Sequence, residues 1–396
     1  MTGPASIRDS VERQDRGRDK IPVAIIGATG TVGQKLVALL VAHPWFQIAT
    51  LHGSAASAGK RYGDIVHWRD SSILPEAVAS QVIHPAHPTG HCSIVFSALK
   101  GAVARPIEEQ WARAGATVVT NASAFRMDPD VPLLIPEINP GHLALLDIQR
   151  INRRWPGAIV ANPNCSTAQL ALALAPLHRA FGLTRIFVST MQALSGAGYP
   201  GVSAMDGLGN VIPLIPEEEE KIEHETGKIL GDLTGGIVLS APFTVSAHAN
   251  RVPVLDGHLE TVSMGFSQAT CHEDIVATLT GFRGSIESQG LPSCPDGPIV
   301  VDRRADRPQP RLDVGRGGGM TVSIGRIRPC PILDWRCVVL GHNLVRGAAG
   351  AAIQNAELLV RQGMVAGIAP PDSVQELAGL SACWMREILL ILRFDA

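Results

Sequence analysis

Short apolar runs and longer helix-like runs alternate over the first 160 residues. Ile21-Pro-Val-Ala-Ile-Ile26 is nearly continuous in apolar residues, as a strand covered on both faces requires. It is followed by Gly27-Ala-Thr-Gly-Thr-Val-Gly33, and Gln34 to Ala42 then predicts a helix. Phe46 to Leu51 predicts a second strand, Cys92 to Ser97 another, Val103 to Ala114 a helix and Thr117 to Thr120 a strand. Ala158 to Ala161 is one more short apolar run, ending at the turn-forming Asn162-Pro163-Asn164. Strands alternating with helices predict an α/β fold, a Rossmann-type doubly wound parallel sheet.

The pattern changes after that turn. An Ala/Leu-rich helix follows Cys165, and Arg185 to Gln192 alternates as a strand with one polar face. Pro216 to Leu230 predicts a charged helix and Glu273 to Thr280 another. Strand-like runs start at Ile237, Phe243, Leu259, Thr321 and Trp335. These predict an α+β domain with a mostly antiparallel sheet. Asp306 to Gly319, rich in Arg, Pro and Gly, reads as a surface loop. Gly347 to Val360 predicts a long helix whose small-residue face suits packing back onto the first domain. The resulting division is a disordered extension over 1–20, domains at 21–161 and 162–342, a returning helix at 343–370 and a polar tail at 371–396.

Composition narrows the function. The chain has 396 residues, 45% hydrophobic and 18% charged, enough for two domains with substantial cores. A formal charge of −2 argues against nucleic-acid binding. No apolar run reaches the length of a membrane span. The first 20 residues lack the apolar core of a signal peptide. The seven cysteines are scattered, with no C-x-x-C, which fits a reducing compartment and a cytoplasmic location. No metal is expected.

Three stretches carry chemistry. The strand–glycine turn–helix at Gly27, Gly30 and Gly33 suits a dinucleotide pyrophosphate, because glycines permit close approach and a helix N-terminus favours an anion. The loop after the second strand, His52-Gly-Ser54-Ala-Ala-Ser57-Ala-Gly-Lys60, offers hydroxyls and a cation and no acid before Asp64. That composition suits a 2′-phosphate, hence NADP over NAD. Cys165 sits at a helix N-terminus, where a thiol should ionise more easily. A cysteine nucleophile beside a nicotinamide implies thioester and thiohemiacetal chemistry, and a base to serve it. Among 13 histidines, His258 leads from a turn into a strand, with Arg251, a natural carboxylate clamp, seven residues before it.

Seven motifs in order make the chain resemble the aspartate-β-semialdehyde dehydrogenases, in their archaeal and fungal branch, over about residues 21 to 365. They are Gly27-Ala-Thr-Gly-Thr-Val-Gly33, Asn121-Ala-Ser-Ala-Phe-Arg-Met127, Pro163-Asn-Cys-Ser-Thr167, Gln192-Ala-Leu-Ser-Gly-Ala-Gly-Tyr-Pro-Gly201, Glu218-Glu-Glu-Lys-Ile222, Asn250-Arg-Val-Pro-Val-Leu-Asp-Gly-His258 and His342-Asn-Leu-Val-Arg-Gly-Ala-Ala-Gly350. The resemblance implies a nucleotide-binding first domain and a catalytic, dimerising second one. It implies NADP-dependent conversion of L-4-aspartyl phosphate to L-aspartate 4-semialdehyde, with release of phosphate, in aspartate-family amino-acid biosynthesis. By the same resemblance Cys165 is the nucleophile, His258 the acid/base and Gln192 an aid to the acyl intermediate. Arg251 grips the substrate carboxylate and Glu218 its ammonium, with the neighbouring glutamate an alternative. Arg126 and Lys221 line the phosphate site, near Asn121 and Asn164. Gly27, Thr29, Gly30, Thr31, Val32 and Gly33 hold the pyrophosphate, Ser54 and Ser57 lie near the adenosine ribose, and Ser195, Gly196 and Asn343 lie against the nicotinamide. A homodimer or homotetramer is implied, with no nucleic-acid or membrane partner.

The chain departs from that branch in one loop. The branch usually carries Ser-x-Arg-Ser there, and this chain has Ser54-Ala-Ala56-Ser57, so use of NAD as well as NADP is expected. Malonyl-CoA reductase, which keeps the cysteine and histidine, is the rival reading. N-acetyl-glutamyl-phosphate reductase fits the motifs less well. A non-catalytic nucleotide sensor conflicts with the retained Cys165, His258, Gln192 and Arg251.

Overall fold

The computed structural model describes residues 20–90 and 92–369. The expected N-terminal extension up to residue 19 and the C-terminal tail with Cys383 lie outside the described residues. The first sheet contains β1 (Ile21–Ile26), β2 (Phe46–Gly53), β3 (Ile83–Pro85), β4 (Ile94–Ser97), β5 (Thr117–Thr120) and β6 (Ala158–Ala161). Its order is β3-β2-β1-β4-β5-β6, parallel throughout. This is the doubly wound arrangement read from the sequence. β4, β5 and β6 are buried at every position, which is why they lack a polar face. Helices α1 (Thr31–Leu40), α2 (Gly101–Arg113) and α3 (Leu145–Arg153) accompany this sheet. The strand order reverses between β1 and β4, and the carboxyl ends of those two strands open the crevice where such sheets bind ligands.

In the second half, α4 (Cys165–Phe181) leads into β7 (Leu183–Gln192). Then come α5 (Glu218–Ile229), a hairpin of β8 (Asp232–Thr234) and β9 (Ile237–Leu239), β10 (Thr244–Arg251), β11 (His258–Phe266) and α6 (His272–Gly281). β12 (Ile299–Asp302), β13 (Val322–Pro329), β14 (Trp335–Gly341) and α7 (Gly350–Arg361) complete the described elements used here. The second sheet has the order β10-β7-β11-β14-β13-β12. Its three central pairings are antiparallel and its two outer pairings parallel.

Two expectations need correction. The run at Ile237 does not join the large sheet. Gly235 and Gly236 both take positive φ, 60° and 83°, the geometry of a two-residue hairpin turn, so β9 folds onto β8 instead. Asp306 to Gly319 is not simply a surface loop. Asp313, 2% exposed, accepts from Arg307 Nε at 2.6 Å and lies 2.7 Å from Arg316, which pins a short helix at Pro310–Asp313.

Helix α4 is the structural axis. Every residue from Ser166 to Leu177 is buried, and an Ala/Leu helix with no polar face is suited only to such a place. It packs against α5, α6 and strands β7, β11, β13 and β14. Each fully buried leucine there contributes roughly 2 kcal/mol. Helix α7 lies against α1, β4 and β5, so the end of the described chain closes over the first sheet. A buried ion pair, Arg346 to Glu137 at 2.7 Å, ties the turn before α7 to the irregular segment after β5.

The glycine turn leaves no room at one position. A Cβ on Gly33 would stand 2.2 Å from the Gly27 carbonyl oxygen, whereas one on Gly30 would find its nearest neighbour at 3.4 Å. Gly33→Ala is expected to destabilise by about 1–3 kcal/mol, the usual cost of overpacking, and Gly30→Ala much less. Urea unfolding of the two variants measures the difference.

Candidate active site

Cys165 is the first residue of α4. Asn164 caps that helix, its Oδ1 accepting from Ser166 N at 2.9 Å and Thr167 N at 3.2 Å. The cap engages two of the N–H groups at this helix end, and the Ser166 N–H also favours a thiolate at Cys165. Burial pushes the Cys165 thiol up to about 12, and the Glu218 carboxylate adds to this against the opposing charges of Arg126 and Arg251. The expectation of an easily ionised thiol is thus corrected: desolvation outweighs the helix end and the two arginines.

His258 is the first residue of β11 and is fully buried. Its Nε2 lies 3.2 Å from Cys165 Sγ. Burial, with the nearby Arg251 and His342, pulls the imidazole down to about 3. The resting pair is a neutral thiol against a neutral ring. Gln169, one turn into α4, donates to the His258 carbonyl and to Glu260, both at 2.8 Å, and so sets the start of β11 against the nucleophile's own helix.

Gln192 and Arg251 end β7 and β10 and are register partners, so the two parallel strands deliver them to the same edge. They line a cleft of about 330 Å³ with Cys165, Gly196 and Glu218. Arg251, 6% exposed, donates from Nη1 to the Ala193 carbonyl at 2.7 Å. Glu218 accepts from Asn164 Nδ2 at 2.9 Å and Gln192 Nε2 at 3.1 Å. Its side chain is 12% exposed, against 78% for Glu217, so the structure separates the two neighbours. Lys221 pairs with Glu217 at 3.2 Å and lies 3.8 Å from Glu218.

A second cleft meets the first at Cys165. Its walls include Thr31, Val32, Asn121, Arg126, Asn164, Ser195, Gly196 and Asn343. Arg126 donates from Nη1 to Glu225 at 2.9 Å and from Nη2 to the Asn121 carbonyl at 2.7 Å, while its buried Nε has no partner among the described residues. The other oxygen of Glu225 accepts from Asn164 N at 2.6 Å. Lys228 donates to the carbonyls of Arg126, Asp128 and Val131, at 2.7, 2.8 and 2.9 Å.

Glu225 and Lys228 were not identified from the sequence. The available signal was spacing: 218, 221, 225 and 228 fall on one face of a helix. In a charged helix such a face ordinarily meets water, and here it meets the first domain.

Thr31 and Val32 of this cleft adjoin the glycine turn, whose form suits a dinucleotide pyrophosphate. Gly27 turns at φ 79°, and a Cβ there would stand 2.8 Å from the Ala98 carbonyl oxygen, at the end of β4. Helix α1 has no side-chain cap at Gly30, which leaves its first N–H groups for an anion. The Thr29 carbonyl faces inward to Gln34 Nε2 at 2.9 Å. Asn343 donates to Ser195 Oγ at 2.8 Å and accepts from Gly257 N at 2.8 Å, fixing the turn beside Gly196. A Cβ on Gly347 would stand 2.7 Å from Cys165 Cβ, so only glycine permits this approach to the nucleophile. Ser54 and Ser57 follow β2 with their hydroxyls 3.3 Å apart, and the nearby Arg61 is paired with Glu76.

A thiol held neutral alkylates slowly. Because the thiolate fraction below its pKa grows about tenfold per pH unit, iodoacetamide modification of Cys165 is expected to accelerate steadily from pH 7 to about pH 10. Stopped-time mass spectrometry of the Cys165 peptide checks this, and a plateau near neutrality would contradict it.

Comparison with known proteins agrees with this geometry. Residues 22–146 match the semialdehyde dehydrogenase NAD-binding domain, and residues 174–346 match the semialdehyde dehydrogenase dimerisation domain. An aspartate-semialdehyde dehydrogenase of Methanothermobacter thermautotrophicus is 47% identical over 86% of this chain and 99% of its own. The crystal structure of aspartate semialdehyde dehydrogenase with NADP from Candida albicans superposes with a TM-score of 0.81 at 40% identity, covering 87% of this chain and all of that one. A malonyl-CoA reductase of Metallosphaera sedula is 36% identical over 88% of this chain and 99% of its own. None of the described helices is long and apolar enough to cross a membrane. With a crevice beside a doubly wound sheet opening onto Cys165, which lies against His258, and with similarity of this extent, the chain belongs to the aspartate-semialdehyde dehydrogenase family.

Proposed function

We propose that the chain catalyses the NADP-dependent, phosphate-dependent interconversion of L-4-aspartyl phosphate and L-aspartate 4-semialdehyde, within aspartate-family amino-acid biosynthesis. One observation carries this reading. Cys165 and His258 stand where two clefts join, with Arg251 and Glu218 on the walls of one and Arg126 on the wall of the other. An amino-acid acyl phosphate presents a carboxylate, an ammonium and a phosphate. Arg251, Glu218 and Arg126 are complementary to them in that order.

In the reductive direction the Cys165 sulfur attacks the acyl carbon, phosphate departs toward Arg126 and Asn121, and a thioester forms on Cys165. Gln192 donates to Glu218 and lies beside the acyl group. Asn164 holds the first turn of α4 in place, and Lys221 adds positive charge beside Glu218. NADPH, held by Gly27, Thr29, Gly30, Thr31, Val32 and Gly33 with Ser54 and Ser57 at the ribose and Ser195, Gly196 and Asn343 at the nicotinamide, supplies hydride when bound. The thiohemiacetal that results releases the semialdehyde and frees Cys165. A malonyl thioester carries no ammonium, so the acyl-CoA reading leaves Glu218 without a substrate partner. The proposed assembly is a cytoplasmic homodimer or homotetramer built through the second domain.

The test runs in the oxidative direction, with L-aspartate semialdehyde, phosphate and either NADP⁺ or NAD⁺, following reduced cofactor by absorbance. Phosphate-dependent turnover is expected, with NAD⁺ also accepted. Cys165→Ala should lose roughly 10³-fold or more. Activity on malonyl-CoA and none on the semialdehyde would overturn the assignment.

Glu225→Gln tests the phosphate bank. The amide keeps one acceptor and turns a donor toward either Arg126 Nη1 or Asn164 N. With one charge-assisted bond lost, worth about 1.5 kcal/mol, the KM for phosphate is expected to rise roughly tenfold while that for NADP⁺ stays unchanged.

A further inference from the structure

We infer that Asn162 is a positioning residue: together with Asn355 it orients the Asn121 side chain so that an amide N–H, and not an amide oxygen, is left for the phosphate group in the second cleft. The inference rests on the acyl-phosphate reading above and deepens it, by naming what turns a donor toward the anion.

Three parallel strands set the geometry. Ser97, Thr120 and Ala161, the last residues of β4, β5 and β6, are level in the sheet. The ladder runs one residue further, with Asn121 N donating to the Ser97 carbonyl at 3.0 Å and Asn162 N to the Thr120 carbonyl at 2.8 Å. The two asparagines therefore stand side by side at the carboxyl edge of the first sheet, and Asn162 Nδ2 lies 3.0 Å from Asn121 Oδ1. Asn121 and Ala348 line the second cleft, and the fully buried Asn162 bonds to both from behind.

An asparagine amide has a donor end and an acceptor end, and a backbone carbonyl only accepts, so each carbonyl in contact fixes which end is which. The Leu134 carbonyl stands 3.3 Å from one end of the Asn355 amide, which is therefore its nitrogen. That nitrogen also donates to Asn162, whose facing atom is then the oxygen. The other end of Asn162 donates to the Ala348 carbonyl at 3.0 Å and to Asn121, which uses both of its hydrogens. Asn121 receives the bond on its oxygen, and its nitrogen donates to the Ser97 carbonyl at 3.1 Å. Three carbonyls thus agree on one polarity along the row. Reversing Asn121 would set its oxygen against the Ser97 carbonyl and its NH₂ against the NH₂ of Asn162, two unmade bonds in a setting largely closed to water.

The row leaves one hydrogen over. Asn121 Nδ2 carries two; one goes to Ser97, and the second has no acceptor among the described residues. The Asn121 carbonyl accepts from Arg126 Nη2 at 2.7 Å, so this hydrogen and the Arg126 guanidinium belong to the same wall of the cleft. A phosphate group is rich in acceptor oxygens and is complementary to both. Asn355 lies in α7 and is fully buried, so the late helix reaches the phosphate side through Asn162 without touching substrate.

Asn162→Ala tests this in phosphate-dependent NADP⁺ reduction by L-aspartate semialdehyde. The KM for phosphate is expected to rise about fivefold, with kcat and the KM for the semialdehyde, whose charged groups are held in the other cleft, little changed. In an Asn121→Ala background the same substitution should raise it no further, because residues acting as one unit are not additive. Equal rises in both backgrounds, as a merely structural Asn162 would give, or no rise in either, would overturn the proposal. Asn162→Ser keeps an acceptor for Asn355 and carries the same test where Asn162→Ala does not fold. A second readout needs no turnover. In full-length protein carrying ¹⁵N-asparagine, the side-chain NH₂ signal lost on Asn121→Ala should shift when inorganic phosphate is added, and shift less in Asn162→Ser. A wild-type signal indifferent to phosphate would also overturn the proposal. A wild-type chain whose Asn121 signal answers phosphate, but which does not oxidise the semialdehyde, would keep the orientation and remove the acyl-phosphate reading beneath it.

Discussion

The architecture depends on how Asn164 is held. Its side chain caps α4, its amide nitrogen donates to Glu218, and its backbone N–H donates to Glu225. Both carboxylates come from one face of α5. The nucleophile is thus placed by its own helix and locked by a second one, and the lock is made of charge-assisted bonds in a buried setting. Such bonds are strong and directional where water is excluded. Further along the same face, Lys228 gathers three carbonyls of the loop that carries Arg126. Helix α5 therefore sets the distance between the loop after β5 and the thiol. The chemistry proposed for the two clefts requires that distance to be fixed.

Electrostatically the site is prepared for charge that arrives with substrate. Two arginines near Cys165 are balanced by Glu218 and Glu225, and the thiol and imidazole rest neutral. This differs from sites where an open helix end and a cationic partner hold a resting thiolate. Burial accounts for the difference, because a charge removed from water must be compensated locally. Here the compensating groups already have partners: Arg126 is paired with Glu225, Arg251 holds the Ala193 carbonyl, and Glu218 accepts from Asn164 and Gln192. Ionisation of the sulfur is then coupled to acyl transfer itself.

The crevice for the cofactor is shaped by absent side chains. Gly27, Gly33 and Gly347 each stand where a Cβ would collide with backbone or with Cys165 itself. The first two bring the end of β1, the end of β4 and the start of α1 into close contact. Gly347 does the same for the segment leading to α7, which is how a helix late in the chain comes to wall the nucleophile near its middle. The mixed sheet supplies the opposite bank through two strand ends, Gln192 and Arg251, that parallel register holds side by side.

Much of this was legible in the chain. Continuous apolar runs marked the buried parallel strands, the glycine spacing marked the crevice, and a turn before an Ala/Leu run marked Cys165, because these features depend on local sequence and periodicity. Hidden from it were the roles of Asn164 as a cap tied to Glu218 and Glu225, of Glu225 and Lys228 as buried ties, and of Ala193 as a donor to His258. A charged helix face reads the same whether it meets water or another domain, and a backbone amide has no sequence signature at all. The run at Ile237 looked like any other strand until its two-glycine turn chose a local partner. The sequence by itself determined which segments would be strands, helices and turns, and which residue types were available for chemistry. Only the tertiary structure decided which charges face each other out of water, and therefore which protons are held where, because burial and partner geometry arise from contacts between residues far apart in the chain.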